Sequence, residues 1–320
     1  MKAFKYLFEI EKKPRKGLLT IEWVAIGYTV LTTLFILFAY TKMYNPEPML
    51  WGRLRILLTT AALWLVYRLV PCRFTHFCRP VVQLCLLGWW YPDTYELNRI
   101  FPCFDHYFVA IEQRLFGCQP ALLFPQLCTS PVLSELFHMG YGSYYFLMVV
   151  VTFYYFAFRY AEFNRATFVI FSSFIAYYLI FIFLPVVGPQ YYYMAVGTDQ
   201  IAQGVFPDLG HYFATHQESL PIPGYQDGFF YQFVVDAHNA GERPTAAFPS
   251  SHVGVTTVLL LLAWHSRSRL LFWLIVPFYV LMFFATFYIQ AHYLIDAIAG
   301  LLSGVVFYFA LWAVYSFFPD

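Results

Sequence analysis

The sequence predicts an all-α fold: a polytopic membrane helix bundle of about eight transmembrane spans with a long outer lid loop. Of its 320 residues, 60% are hydrophobic and 22% aromatic, while only 12% are charged, about half the charge of a soluble domain. The apolar residues gather into runs of about 20, the length that crosses a hydrocarbon core. The basic residues gather on one side of those runs. This composition excludes a disordered chain, a secreted disulfide scaffold and a coiled coil. A formal net charge of +1 leaves no basic surface for nucleic acid.

The first nineteen residues hold Lys2, Lys5, Lys12, Lys13, Arg15 and Lys16, and an apolar run from Ile21 to Tyr40 follows. With no small-residue cleavage site, this reads as an anchored first helix rather than a removed signal peptide. Further runs lie near 54–71, 81–92, 132–158, 166–187, 250–264, 270–289 and 292–317. The third is short and bounded by Pro80 and Pro92, so a re-entrant segment is the alternative there. If all eight cross from a cytoplasmic N-terminus, thirteen of the nineteen Lys and Arg fall inside. Six fall outside: Lys42, Arg53, Arg55, Arg99, Arg114 and Arg243. Both termini are then cytoplasmic. Residues 1–100 read as N-terminal transmembrane helices and 101–320 as a catalytic core that includes the outer loop 188–249.

Between the third and fourth runs, residues 103–118 place Phe104, Phe108, Ile111 and Leu115 at helical spacing opposite Asp105, Glu112 and Arg114. That suits a helix lying in the outer interface. The outer loop 188–249 has one Arg, no Lys and six acids among many aromatic residues; so aromatic a loop is expected to fold as a lid. Six cysteines fall without the paired spacing of a zinc site, so no structural metal is expected.

Two stretches carry chemistry. Phe248-Pro249-Ser250-Ser251-His252 opens the sixth run. Pro and Ser there are ordinary capping residues, yet a helix start also turns free N–H groups and a positive dipole end outward, an anion site. His292-Tyr293-Leu294-Ile295-Asp296 opens the last run. Four residues apart on a helix, His292 and Asp296 share one face, so the carboxylate can orient the imidazole. One helical hairpin brings both histidines to the same outer surface. A nucleophile, its orienting carboxylate, an acid and an anion cradle together describe phosphoryl transfer. Two histidines and a carboxylate also suit a divalent ion, and intramembrane ionisable groups also serve transporters. Transport is the least favoured, because a relay does not require an anion cradle.

These residues resemble the type 2 phosphatidic acid phosphatase superfamily of membrane lipid phosphatases. The family's Pro-Ser-Gly-His motif is matched by Pro249, Ser250 and His252, with Ser251 in place of Gly. Of its Ser-Arg, five residues, His, three residues, Asp motif, His292 and Asp296 match, while Ala285 and Thr286 replace Ser and Arg. Its Lys-containing first motif is absent. These departures resemble the inositol phosphorylceramide synthase branch, as do Gly188 and Pro189, although Gln190 stands where bacterial relatives often have Arg.

The resemblance implies a six-helix phosphatase-type core in which His292 attacks phosphorus and Asp296 orients it. His252 then serves as general acid and base, Ser250 and Ser251 with backbone N–H groups hold the phosphate, and no metal cofactor is required. The substrate would be a phospholipid in the bilayer and the acceptor water, a ceramide or another alcohol. A lipid phosphatase and a headgroup transferase both fit; the missing phosphate-binding cations favour a less charged diester and hence transfer.

Arg243, the one basic residue of the outer loop, is a further candidate phosphate ligand, with a salt bridge to Glu242 as the alternative. Glu135, His138 and Tyr141 sit at helical spacing on the fourth run, where they suit either a headgroup pocket, together with Gln190 and Tyr191, or an internal hydrogen-bond network. His211, His216 and His238 read as solvated loop residues, and Tyr191-Tyr192-Tyr193 as an interfacial anchor.

Overall fold

The computed structural model describes residues 6–318 and Asp320; Lys2 and Lys5, counted among the cytoplasmic charges, lie outside the described residues. The architecture among them is helical, without a strand longer than an isolated bridge between Ile10 and Cys72. Three helices come first: α1 (Thr20–Phe38), α2 (Pro46–Leu69) and α3 (Arg73–Asn98). Then follow α4 (Asp105–Phe116), α5 (Pro120–Leu127), α6 (Pro131–Gly142), α7 (Tyr144–Phe158) and α8 (Phe163–Phe183). The long connection between α8 and α12 holds α9 (Pro189–Val196), α10 (Thr198–Ala202) and α11 (Phe229–Gly241), and α12 (Ser251–His265), α13 (Arg269–Tyr288) and α14 (Leu294–Tyr315) follow.

All eight apolar runs are helical, but length and apolarity qualify only α1, α2, α8, α13 and α14 as crossing helices. A sixth is added if α6 and α7, bent by 49° at their junction, count as one broken span. The run 250–264 is the 15-residue α12, and the run 81–92 lies inside the continuous 26-residue α3 rather than in a re-entrant turn. In α3 the polar residues Arg79, Gln83 and Asp93 are buried. Arg79 pairs with Glu22 of α1 through two guanidinium contacts of 2.5 and 2.8 Å, and Arg53 of α2 pairs with Asp93 at 2.7 and 2.9 Å. Buried charges are tolerated when paired in this bidentate way. Both arginines lie in helices rather than loops; one leaves each side of the expected charge count, so the difference between the two sides is unchanged.

The helix expected near 103–118 is α4, but its two acids face the protein rather than water. Asp105, Val109 and Glu112 are buried, whereas Ile111 and Leu115 are exposed. The acids turn inward because the protein supplies donors there that lipid would not, and the apolar side chains face the surface that lipid would cover.

At the centre, α12 packs most extensively on α14. Gly254 on α12 and the Gly300-x-x-x-Gly304 pair on α14 let the two backbones approach closely, as small residues do between membrane helices. A Cβ at Gly304 would lie 2.9 Å from the Thr257 Cβ and would also press on the Gly254 carbonyl. Gly304→Val is therefore expected to destabilise the bundle by about 1–3 kcal/mol, read as a lowered midpoint of thermal unfolding in detergent. Phe309→Val, on an exposed stretch of the same helix, should leave that midpoint nearly unchanged.

Candidate functional site

The two histidines are held by short polar connections at the N-terminal ends of α12 and α14. Ser250 caps α12, its Oγ accepting the Val253 amide at 3.4 Å, and its own amide donates to the Asp296 carbonyl at 3.0 Å. Asp296 caps α14, its Oδ2 accepting the Tyr293 amide at 2.8 Å. The histidine-bearing ends are thus joined directly. The segment 246–247 is fastened to the end of α8 by the Ala247 amide, which donates to Val186 O at 2.9 Å. Gly188, at φ +91°, passes so close to Ala291 that a Cβ would meet the Ala291 carbonyl at 2.6 Å. Only glycine fits both the backbone angle and the space.

This framework brings the ring centroids of His252 and His292 to 5.7 Å. His292 Nδ1 lies 2.7 Å from the Ala247 carbonyl oxygen, an acceptor only, so Nδ1 carries the proton and the Nε2 lone pair is left for the cavity that the ring lines. Asp296 Oδ2 stands 3.8 Å from the same Nδ1, an ion-pair distance outside hydrogen-bond range. Its carboxylate acts on the helix cap, and the carbonyl of Ala247 sets the tautomer. Burial pushes the His292 pKa down to about 4, against the opposing influence of the Ala247 carbonyl and the Glu242 charge. The imidazole is neutral at pH 7, as a nucleophile must be.

His252 is placed by packing. Tyr141 and Tyr144, on either side of the break between α6 and α7, both lie with ring centroids 4.4 Å from it. The first-turn amides of Ser251 and His252 precede the regular helical ladder, so they remain available to an anion.

A cavity of about 430 Å³ joins these groups. Its walls come from α3, α6, α7, α8, the connection between α8 and α12, and the starts of α12 and α14, and its exposed lining residues include Gly88 of α3, Tyr145 and Phe146 of α7, and Phe233, Ala237 and Ala240 of α11. Of the residues singled out in the sequence, His252, His292, Ser251, Tyr141, Gln190 and Tyr191 line it. Ser250 faces the helix cap instead. Glu135 accepts the Phe230 and Tyr231 amides at the start of α11, and His138 Nδ1 is paired with the Ser134 carbonyl at 2.7 Å. Both belong to the internal network rather than to the cavity wall.

Arg243 is also turned away. Its Nη1 donates to the Glu242 backbone carbonyl at 2.8 Å, and no Lys or Arg lines the cavity among the described residues. The side chain that enters the cavity is its neighbour Glu242, whose carboxylate accepts the Tyr91 hydroxyl. Burial raises the Glu242 pKa, opposed by the Tyr91 hydrogen bond and by His292 and Arg243. His211 and His216 are exposed, but His238 lines the cavity and burial lowers its pKa. Tyr191, Tyr192 and Tyr193 are buried in α9 rather than anchored in an interface.

Sequence reasoning missed two acids that support the site. Asp105 accepts the Val187 and Gly188 amides at 2.8 and 2.9 Å and the Tyr293 hydroxyl at 2.9 Å, while Glu112 accepts the Ile295 amide at 3.2 Å. Burial raises Asp105 to about 6 despite those donors, and burial together with the Asp296 charge raises Glu112 to about 8. Their spacing of seven, one helical face with no basic partner, was the available signal. Among the described residues no group of three or more His, Cys, Asp or Glu side chains is arranged to hold a metal ion.

Compared with known families, residues 106–310 match the family model described as the PAP2 superfamily. No curated protein and no solved structure gave a match.

Proposed function

Since the chain belongs to the PAP2 superfamily, we propose that it is a multi-pass membrane enzyme that transfers a phospho-headgroup from a phospholipid to a lipid alcohol such as ceramide, through a phosphohistidine on His292. The observation that carries this reading is the pair of imidazoles 5.7 Å apart on one cavity, with Nδ1 of His292 occupied and Nε2 left open. That spacing leaves room for a phosphorus atom between nucleophile and acid.

In the first step His292 Nε2 attacks phosphorus and the bond to the diacylglycerol oxygen breaks; His252 gives that oxygen its proton. In the second, His252 takes the proton from the acceptor hydroxyl, whose oxygen attacks phosphorus as the P–N bond breaks, restoring both histidines. Ser251 and the first-turn amides of α12 hold the phosphate oxygens. Asp296 and the Ala247 carbonyl position the nucleophile. A lipid enters from the bilayer past the exposed lining residues of α3, α7 and α11. No metal takes part, both termini are cytoplasmic, and the site faces the periplasm or a lumen.

Transfer rather than hydrolysis is supported by the cavity's lack of Lys and Arg, since a phosphate monoester dianion needs more positive charge than a diester. In this respect the site is like that of the inositol phosphorylceramide synthases.

The test uses purified full-length protein, a phospholipid labelled in its phosphate, and rapid quenching. Label is expected on the protein, stable in alkali and lost in acid, absent from His292→Gln, and suppressed by vanadate but not by chelators. Diacylglycerol should accumulate only when ceramide is supplied. Chelator-sensitive turnover without a protein-bound intermediate would overturn the mechanism, and release of inorganic phosphate from a monoester lipid would replace transferase with phosphatase.

A further inference from the structure

One part of the cavity wall is rich in hydrogen-bond acceptors, and among the described residues no Lys or Arg lines the cavity. Glu242 projects its carboxylate there, and the rings of Tyr91, Tyr145, Tyr178 and Tyr191 form the surrounding wall. The Tyr91 hydroxyl is already committed to Glu242 and the Tyr178 hydroxyl to the Leu87 carbonyl at 3.0 Å, so neither proton is free for a ligand.

A second acceptor comes from a backbone feature. Pro92 lies inside α3, and with no N–H it cannot supply the hydrogen bond that Gly88 O, four residues earlier, would receive in a regular helix. Gly88 lines the same cavity, and a Cβ placed on it would meet nothing within 4 Å. Glu242, Gly88 with its missing helical hydrogen bond, and the aromatic rings line one cavity that no Lys or Arg lines among the described residues, with Arg243 near enough to act on the Glu242 charge. Each of the three attracts a cation, the aromatic faces through their quadrupoles.

We infer that this part of the cavity binds a cationic nitrogen, so that the transferred unit is a phosphodiester bearing an ammonium group, and that Glu242 is its specificity-determining residue. The inference rests on the headgroup-transfer reading. It departs from the uncharged polyol that the inositol phosphorylceramide branch would use. Of the residues that would choose the headgroup, Gly88, Tyr91 and Pro92 precede the family-matched stretch 106–310, while Glu242, Tyr145, Tyr178 and Tyr191 lie within it beside the phosphate chemistry.

The experiment supplies full-length protein with ceramide and, one at a time, phosphatidylethanolamine, phosphatidylcholine, phosphatidylglycerol and phosphatidylinositol, and reads diacylglycerol formation for the unaltered chain, Glu242→Gln and His292→Gln. An amine-bearing donor should be used about tenfold faster or more than either donor without nitrogen, as for loss of one hydrogen bond to a charged group. Glu242→Gln should erase that preference, read as the ratio of rates between donors within the same variant. The ratio between ethanolamine and choline donors reports whether hydrogen bonding or ring faces dominate.

Preferred use of phosphatidylinositol or phosphatidylglycerol by the unaltered chain overturns the inference and leaves the transferase reading standing. So does an unchanged preference in Glu242→Gln. Absence of any His292-dependent product from all four donors overturns both. The donor preference of the unaltered chain needs no variant, so a misfolded Glu242→Gln protein does not protect the inference.

Discussion

His292→Gln lowers lipid turnover by about 10⁴-fold or more, the loss typical of removing the nucleophile of a covalent mechanism, while helical content and elution from a sizing column stay unchanged. The structural reason for expecting a clean effect is that the ring makes one hydrogen bond, to the Ala247 carbonyl, and that carbonyl stays available to a glutamine amide. The pH profile supplies an independent check. With its pKa held down to about 4, mainly by burial, His292 is already neutral well below physiological pH. Phosphoenzyme formation should not decline through the ordinary histidine range around pH 6.5, and should fall only as the pH drops through about 4. A decline centred near 6.5 would place the nucleophile in a wetter, more exposed setting than this cavity provides.

His252→Gln is expected to slow transfer from natural phospholipids by about 10²–10⁴-fold, the usual worth of a general acid. The diagnostic result is its dependence on the leaving group. A diacylglycerol alkoxide departs poorly without a proton, whereas nitrophenolate from a nitrophenyl phosphodiester departs unaided. The variant should therefore form phosphoenzyme from the nitrophenyl diester at close to the unaltered rate, and the remaining deficit should lie in the second step, where the acceptor hydroxyl must lose a proton. An equal deficit with both donors would mean that His252 binds phosphate rather than moving protons. The contacts of His252 with Tyr141 and Tyr144 make Gln a milder replacement than Ala, which would leave those two rings facing an empty volume.

Much of this site was legible before any fold was known. His252 and His292 could be placed on one surface from the lengths of the two apolar runs between them, because helix rise is constant and membrane thickness limits the turns available. The cap of α12 was readable as Pro-Ser, whereas Asp296 was read as a partner of His292 and caps α14. The bundle character followed from composition alone.

What sequence reasoning misplaced has a common cause. Arg243 and Glu242 are neighbours in an irregular segment, where neither a 3.6 nor a 2.0 period says which side chain enters the cavity, and charge complementarity with phosphate pointed to the wrong one. Asp105 and Glu112 were assigned to the wet face of α4 because acids usually sit there; the amides of Val187, Gly188 and Ile295 reverse that choice. The contribution of Gly88 and Pro92 was invisible, since a missing backbone hydrogen bond matters only when another helix leaves it facing a cavity.

The sequence by itself determined the membrane bundle, the histidine pair and the capped start of α12, because each depends on local period, length and capping. The tertiary structure alone decided that Ala247 rather than Asp296 bonds His292, that Glu242 rather than Arg243 enters the cavity, and that α3 supplies part of its wall. Those outcomes depend on contacts between residues about 40 to 150 positions apart, which no local pattern encodes: the energy of burying a polar group is set by the partner it meets.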